Sequence, residues 1–332
     1  MPVRSSWSWF LKTAACCAAL MLGFSGYCGT AQAQAYPAKP IRFIVPYNPG
    51  GVTDAVARLL AQKLAESWNV AVPVENHAGA SGMLGADLVA KARADGYTIG
   101  MVASGHVLLP VLFREVSFDP LKDFTPVTIT VRSANVICVH PTVPAKSIKE
   151  LVELARARPG ELFFGSAGTG QSSHLSGEMF RIAAGIDIQN VSYKGGGPAM
   201  ADLVGGHIPI AVSSLLGAAP FVKAGKIRAL AVTSAKRQAT FPDIPTLAES
   251  GYPDFEASEW WAIIAPAGMP KDILARLNAE IDRIMLLPDV QDKFATLGFD
   301  RIGGSPDQSS AFMKSEMEKW TKVVKTVGLK PE

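Results

Sequence analysis

This sequence predicts an α/β fold in two lobes, and three observations carry that prediction. Short β-branched runs alternate with amphipathic helical stripes along residues 36–332. Each half holds one unit of strand, glycine-rich turn and helix start, at 41–56 and again at 162–175. No low-complexity linker separates the halves, so the chain is expected to cross between lobes at ordinary strands near 135 and near 258. The expected division is 36–135 plus 259–332 in lobe 1 and 136–258 in lobe 2. Two strand crossovers would then form a hinge, with a ligand cleft between the lobes.

The elements follow in order. Residues 41–45 read as the first strand, and the turn 46–51 leads into a helix over 54–68. Val56, Leu59, Leu60 and Leu64 place that helix's apolar stripe on the core. Strands are expected at 70–74, 98–102 and 136–139, with a helix over 84–92. Ser147 and Glu150 have capping-box spacing and open a helix to about 157, stopped by Pro159-Gly160. A strand at 162–164 feeds the turn 165–170 and a helix over 172–184. Further strands are expected near 191, at 208–212, 227–232 and 260–264, with a helix starting at Pro198. The remainder reads as helical, with Pro270 and Pro306 in first turns and Gly328 closing the last helix.

Residues 1–35 read as a secretory signal peptide. Arg4 and Lys12 precede an apolar run of roughly a dozen residues, too short to span a bilayer. Ala31-Gln32-Ala33-Gln34-Ala35 then offers cleavage after Ala33 or Ala35, and the residues before Cys28 do not make a lipobox. Export to the periplasm is the expectation. Cys16, Cys17 and Cys28 would leave with the leader, so Cys138 would have no disulfide partner in its apolar run. The charge is nearly balanced, 32 basic against 29 acidic residues, with no basic run. Nothing there favours nucleic acid or a membrane surface, and a monomer without stable membrane insertion is expected after cleavage.

Motifs for catalysis are missing. The five histidines include no i, i+4 pair, no serine stands in G-x-S-x-G or opens S-x-x-K, and there is neither a Walker A loop nor G-x-G-x-x-G. No cluster of Cys, His and carboxylate has metal-ligand spacing. The expectation is no catalytic residue, no metal and no cofactor.

What is present is a pair of anion cradles, Gly50-Gly51-Val52-Thr53-Asp54 and Gly168-Thr169-Gly170-Gln171-Ser172. A helix start leaves backbone N–H groups unpaired and partly positive, and glycine lets a ligand oxygen approach them. Either turn alone could be an ordinary strand-to-helix connection whose Thr53, Asp54 or Ser172 caps a helix. Two of them in matching places of two lobes could grip a ligand from both sides.

These residues also carry a likeness. The stretch 36–46, followed by Pro49-Gly50-Gly51-Val52-Thr53-Asp54, resembles the start of Bug proteins. These are the TctC-like extracytoplasmic solute-binding components of tripartite tricarboxylate transporters. Val74-Glu75-Asn76, Ala94-Asp95-Gly96-Tyr97-Thr98, Ser166-Ala167-Gly168-Thr169-Gly170 with His174 to Glu178, and Tyr193-Lys194-Gly195-Gly196-Gly197 extend the match over essentially 36–332.

The resemblance implies a periplasmic-binding-protein fold of type II-like layout that closes on its ligand. It implies a carboxylate held by loop amides, hydroxyls and water, often without an arginine clamp. Lobe 1 would offer Tyr47, Asn48, Gly50, Gly51, Thr53 and Asp54, with Ser104, Gly105 and His106. Lobe 2 would offer Ser166, Ala167, Gly168, Thr169, Gly170, Ser172 and His174, then Tyr193, Lys194 and Gly195, then Ser213 and Ser214. The partners implied are a small carboxylic acid and the large and small subunits of an inner-membrane permease.

Two positions depart from the family pattern. Asn48 replaces a common Phe or Pro, and Ser213-Ser214 replaces a common Asp-Asn. Loss of that carboxylate favours a dicarboxylate, hydroxy acid or aromatic acid over an amino acid. A module that signals to a sensor kinase would need the same trap, and a secreted enzyme is the third reading. Asp202 reads as a surface helix residue, and Trp260 and Trp261 as core or hinge packing.

Overall fold

The computed structural model describes residues 36–193, 195–329 and 331, and residues 39–332 form one compact unit. The signal-peptide reading of residues 1–35 lies outside the described residues. The first stretch runs β1 (Arg42–Val45), α1 (Val52–Trp68), β2 (Val74–Asn76), α2 (Met83–Ala90), β3 (Thr98–Ala103), a 3₁₀ turn at Ser104–Leu108, α3 (Leu109–Leu112) and β4 (Phe124–Val139). The middle runs α4 (Ile148–Ala157), β5 (Leu162–Ser166), α5 (Ser172–Ala184), β6 (Ile188–Ser192), α6 (Gly196–Val204), β7 (Ile210–Ser214), α7 (Leu215–Lys223) and β8 (Arg228–Val232). β9 (Ser258–Pro266), α8 (Lys271–Met285), α9 (Pro288–Thr296), β10 (Asp300–Arg301) and α10 (Pro306–Thr326) complete the chain.

The strands form two ladders that share β4. The order β2-β1-β3-β9-β4 makes the first and β4-β7-β5-β6 the second, with β8 also on β4 and β10 on its first half. β1 runs parallel to β2 and β3, and β5 runs parallel to β6 and β7. β4 changes partner midway: Ala134 is its last residue opposite β9, at Ser258, and Asn135 its first opposite β7, at Ser214. The protein is a two-lobed α/β structure of the periplasmic solute-binding kind. α10 packs against β4 and also against α5, so the C-terminal helix reaches both ladders.

Several element boundaries differ from expectation for physical reasons. β4 is 16 residues long, yet only its last four residues were expected as strand. Val127, Ile129 and Val131 do alternate with Thr128 and Thr130, a strand signal that went unread, and nearly every position of the strand is buried on both faces. The expected strand at 70–74 is displaced to Val74–Asn76, because Asn69 ends α1 in the left-handed region and Pro73 has no N–H to donate. Within 70–73, the carbonyls of Ala71 and Pro73 accept from Ile41, just before β1, and from Phe43 in β1. α7 went unread because Gly217 and Pro220 lie inside it. Pro270 precedes the first turn of α8 as its cap residue, whereas Pro306 opens α10 behind a full capping box from Ser305 and Gln308.

Cys138 is fully buried, as its apolar run predicts, and burial pushes its thiol up to about 12. A thiol so held is inert at neutral pH.

Candidate functional site

Both glycine turns open onto one cleft of about 650 Å³. From the first ladder it is lined by Tyr47, Gly51, Val52 and Thr53, and by Ser104 and Gly105 at the end of β3. From the second it is lined by Thr169, Gly170, Gln171 and Ser172, with Gly196 at the start of α6. Leu108, Leu109, Leu112 and Phe113 form an apolar wall, and Trp261 and Trp320 close the floor. A smaller hollow of about 100 Å³ adjoins it and shares Val52, Glu259 and Trp261.

The cleft collects helix starts. α1, α5 and α6 all begin on it, with Gly51, Gln171 and Gly195 as their cap residues, and none of the three receives a side-chain cap. Helices α4 and α10, by contrast, are capped by Ser147 and Ser305. The first N–H groups of α1, α5 and α6 therefore lack intrahelical acceptors and carry the positive end of each helix dipole. Among the described lining residues there is no lysine or arginine. The arrangement suits an anion held by backbone amides and hydroxyls.

Side chains brace these turns. Asp54 is buried, and its carboxylate accepts from the Gly50 amide at 2.9 Å, from Arg58 Nε at 2.9 Å and from Asn76 Nδ2 at 2.9 Å. Burial works to raise its pKa, but the bonds from Arg58, Gly50 and Asn76 prevail and hold it below the usual aspartate value. Asp54→Ala is expected to cost about 1–3 kcal/mol by leaving the Gly50 amide and Asn76 without their acceptor. In the parent, the depressed pKa means this contribution is present above the ordinary aspartate range and is lost as pH falls through the folded value. Acid melts of parent and variant should therefore converge at low pH, and a constant difference down to pH 2 would refute the role. Thr53 is held by the Trp261 indole, which donates to its Oγ1 at 2.9 Å. In the second ladder the Asn135 amide donates to Ser172 Oγ at 2.8 Å and Ser176 Oγ at 3.0 Å. That bond ties the start of α5 to the point where β4 changes partner.

Of the residues expected from sequence, Tyr47, Gly51, Thr53, Ser104, Gly105, Thr169, Gly170 and Ser172 line the cleft. Others stand behind it. His174 is buried and its Nδ1 accepts from the Gly170 amide at 3.0 Å, so it shapes the turn; burial lowers its pKa, partly opposed by Glu178. Ser173 Oγ accepts from the Ala167 amide at 3.0 Å. Gly168 has φ +144° and its carbonyl accepts from Gln171 within the turn. Gly195 donates to the Ala167 carbonyl. Tyr193 donates its hydroxyl to Asp202 Oδ2 at 2.7 Å, and burial, with that bond, pushes its phenol up to about 12. Asp202 is thus a partner of Tyr193 as well as a surface residue. Ser166 and Ser213 are buried, and Ser214 caps α7 by accepting from Gly217. Asn48 and Gly50 are exposed and are not among the residues lining the cleft, and Lys194 lies outside the described residues.

His106 is placed away from the cleft. It is 2% exposed, stacked against Phe118 at 5.5 Å and edge-on to Phe124 at 4.9 Å, and burial pushes it down to about 3. The 3₁₀ turn at Ser104–Leu108 points its side chain into the apolar core.

Sequence reasoning did not single out Glu259, Ser81, Gly196 or the wall from α3, named Gln171 only as part of the second cradle, and favoured packing over ligand contact for Trp261. Trp261 both packs and faces the cleft. The signal for Glu259 was its position beside the expected second crossover, as a carboxyl inside an apolar strand.

The profile described as "Tripartite tricarboxylate transporter family receptor" matches residues 56–329. Protein BugT of Bordetella pertussis is 36% identical over 314 residues, covering 94% of this chain and 96% of that protein. An R. palustris protein solved with adipate is 36% identical, with TM-score 0.77 over 90% of this chain and 100% of its own. The protein MatC from Rhodopseudomonas palustris, solved with bound malate, is 30% identical, with TM-score 0.70 over 87% of this chain and 100% of its own.

Proposed function

This chain belongs to the tripartite tricarboxylate transporter receptor family, and from that premise we propose that it is a periplasmic receptor for a small carboxylic acid, which it delivers to a membrane permease of large and small subunits. The observation that carries this reading is the convergence of three uncapped helix starts on a cleft without a described lysine or arginine. Backbone amides and hydroxyls then supply the donors a carboxylate needs. The amides of α1 and α5, with Tyr47, Thr53, Thr169 and Ser172, form the proposed contact set. Asp54, His174 and Tyr193 serve as its supports. The ligands of the adipate- and malate-bound relatives make dicarboxylates the first candidates.

The proposed lobes are 36–135 with 259–332 and 136–258, divided where β4 exchanges β9 for β7. Closure about that point would bring the two sets of amides together on the ligand. Delivery and export follow from the family reading and the signal-like residues 1–35.

Thermal melts of the purified protein against a panel of mono-, di- and tricarboxylates, amino acids and sugars test the reading. At least one carboxylate at about 100 times its Kd should stabilise the fold by about 2.7 kcal/mol, seen as a rise of several degrees in Tm. A panel in which only sugars or amines stabilise would overturn it.

A further inference from the structure

Glu259 is the one charged side chain among the described residues lining the cleft. It sits on β9 opposite Ser133 of β4, one residue short of where β4 changes partner. Strand alternation places Glu259 and Trp261 on one face and Trp260 on the other. Accordingly, Glu259 and Trp261 border both the large cleft and the small hollow beside it, whereas Trp260 donates to Glu316 beneath. The Glu259 carboxyl is half-buried, and that desolvation raises its pKa with no lysine or arginine among the described lining residues to pair with it. A carboxylate so placed would repel an anionic ligand that the neighbouring helix starts attract.

We infer that Glu259 selects the ligand of this cleft by meeting its carboxylate as a neutral acid, donating its O–H, so that capture takes up a proton from solvent. The inference rests on the carboxylate-receptor reading above. A half-buried carboxyl without a cationic partner is shifted toward its neutral form, and an anion arriving beside it favours that form further. Burial pushes Glu259 up to about 7, which puts the exchange within the physiological range. The proton lies on Glu259, the acceptor is a ligand oxygen, and no bond other than O–H is made or broken.

The other titratable groups near Glu259 do not share this range. Tyr47, on the turn before α1, is pushed up to about 12 by burial, with the Glu259 charge adding to the effect, and keeps its proton. Asp54 on α1 is held ionised by Arg58, Gly50 and Asn76. His174 on α5 is lowered by burial and is neutral at pH 7 and above. On β4, Arg132 lies beside Trp260 on the other face and pairs with Glu256 at 2.7 Å. Glu316 of α10 accepts from the indoles of Trp260 and Trp320.

The sign is fixed by the direction of the shift. The neutral form binds, so affinity is full below about pH 7 and falls as pH rises. Calorimetric titration with adipate and malate, in buffers of different ionisation enthalpy, reads the coupling directly on the unaltered protein. Uptake approaching one proton per ligand is expected near pH 8, with Kd about tenfold weaker at pH 8 than at pH 6. E259Q keeps a donor without a charge. It should bind at pH 8 as well as the parent binds at pH 6, with a flat profile and no uptake.

A parent that binds without proton uptake overturns the inference and leaves the receptor reading intact. So does an E259Q protein that retains the parent's pH slope. Tighter binding of aspartate at higher pH, abolished in E259Q, would also overturn it by showing an ionised Glu259 paired with an ammonium group. If E259Q does not fold, the proton count on the parent decides alone. If no carboxylate in the panel binds, both the reading and this inference fall.

Discussion

Replacing Gly51 with valine is expected to weaken carboxylate affinity at least tenfold while the melting temperature stays within a few degrees of the parent. Gly51 caps α1 at φ −78°, a conformation open to any residue, and a Cβ there would meet only the Asn48 carbonyl at 3.7 Å. Fold and turn therefore tolerate the side chain. The ligand does not, because the added branches occupy the space above the first amides of α1. Loss of one charge-assisted hydrogen bond corresponds to about 1.5–3 kcal/mol, or at least tenfold in Kd. Gly170→Val provides the contrast. Gly170 has φ +75°, and a Cβ there would sit 3.1 Å from Leu112 Cδ1. That variant should lose roughly 1–2 kcal/mol of stability from the backbone alone, and affinity as well. Calorimetric titration beside thermal melts separates the two. Parent-like affinity in Gly51→Val would mean that α1 does not hold the ligand.

The second large effect separates two adjacent tryptophans. Trp260→Ala should destabilise the protein by about 3–5 kcal/mol, with the affinity of the surviving folded fraction unchanged. Trp260 is 1% exposed, packs edge-on against Phe312 and donates to Glu316 Oε2 at 2.9 Å. Its removal leaves a cavity beneath the ladder and a buried carboxylate short of one donor. Trp261→Phe keeps most of the apolar contact, including the ring of Phe299 at 5.5 Å, but takes away the donor to Thr53 Oγ1. Its stability loss should be only about 1 kcal/mol, while the freed Thr53 hydroxyl turns from its position in the cleft and affinity falls several-fold. Equal losses of affinity in the two variants would contradict the alternation of faces along β9.

The fold was legible in the sequence wherever one face of an element meets solvent. The stripe of Val56, Leu60 and Leu64 marked α1 because its opposite side is polar. On β4 the alternation of Val127, Ile129 and Val131 with Thr128 and Thr130 was present but went unread, because Pro126 just before it reads as a strand breaker and the threonines, though polar, are buried as well. The two glycine turns were legible because a chain that must turn sharply into a helix leaves its requirement in local residue types. Gly51, Thr53, Thr169, Gly170 and Ser172 of those turns line the cleft, whereas Tyr47, Ser104 and Gly105, which also line it, came from the family resemblance. His106 was misplaced because its direction depends on a 3₁₀ turn that rotates it onto Phe118 and Phe124, and no neighbouring residue type announces that rotation.

By itself, then, the sequence determined the alternation of strands and helices, the two glycine turns at helix starts and the family. These are properties of short segments, set by spacing and backbone freedom. Only the tertiary structure decided what lies across from those segments. The uncapped state of α1, α5 and α6 on one cleft is a fact about three segments far apart in the chain. The pairing of Trp261 with Thr53 spans 208 positions. Glu259 acquires its meaning from standing half-buried in a cleft whose described lining holds no lysine or arginine. The dielectric around a carboxyl and the donors within its reach are set by packing, which local residue types do not encode.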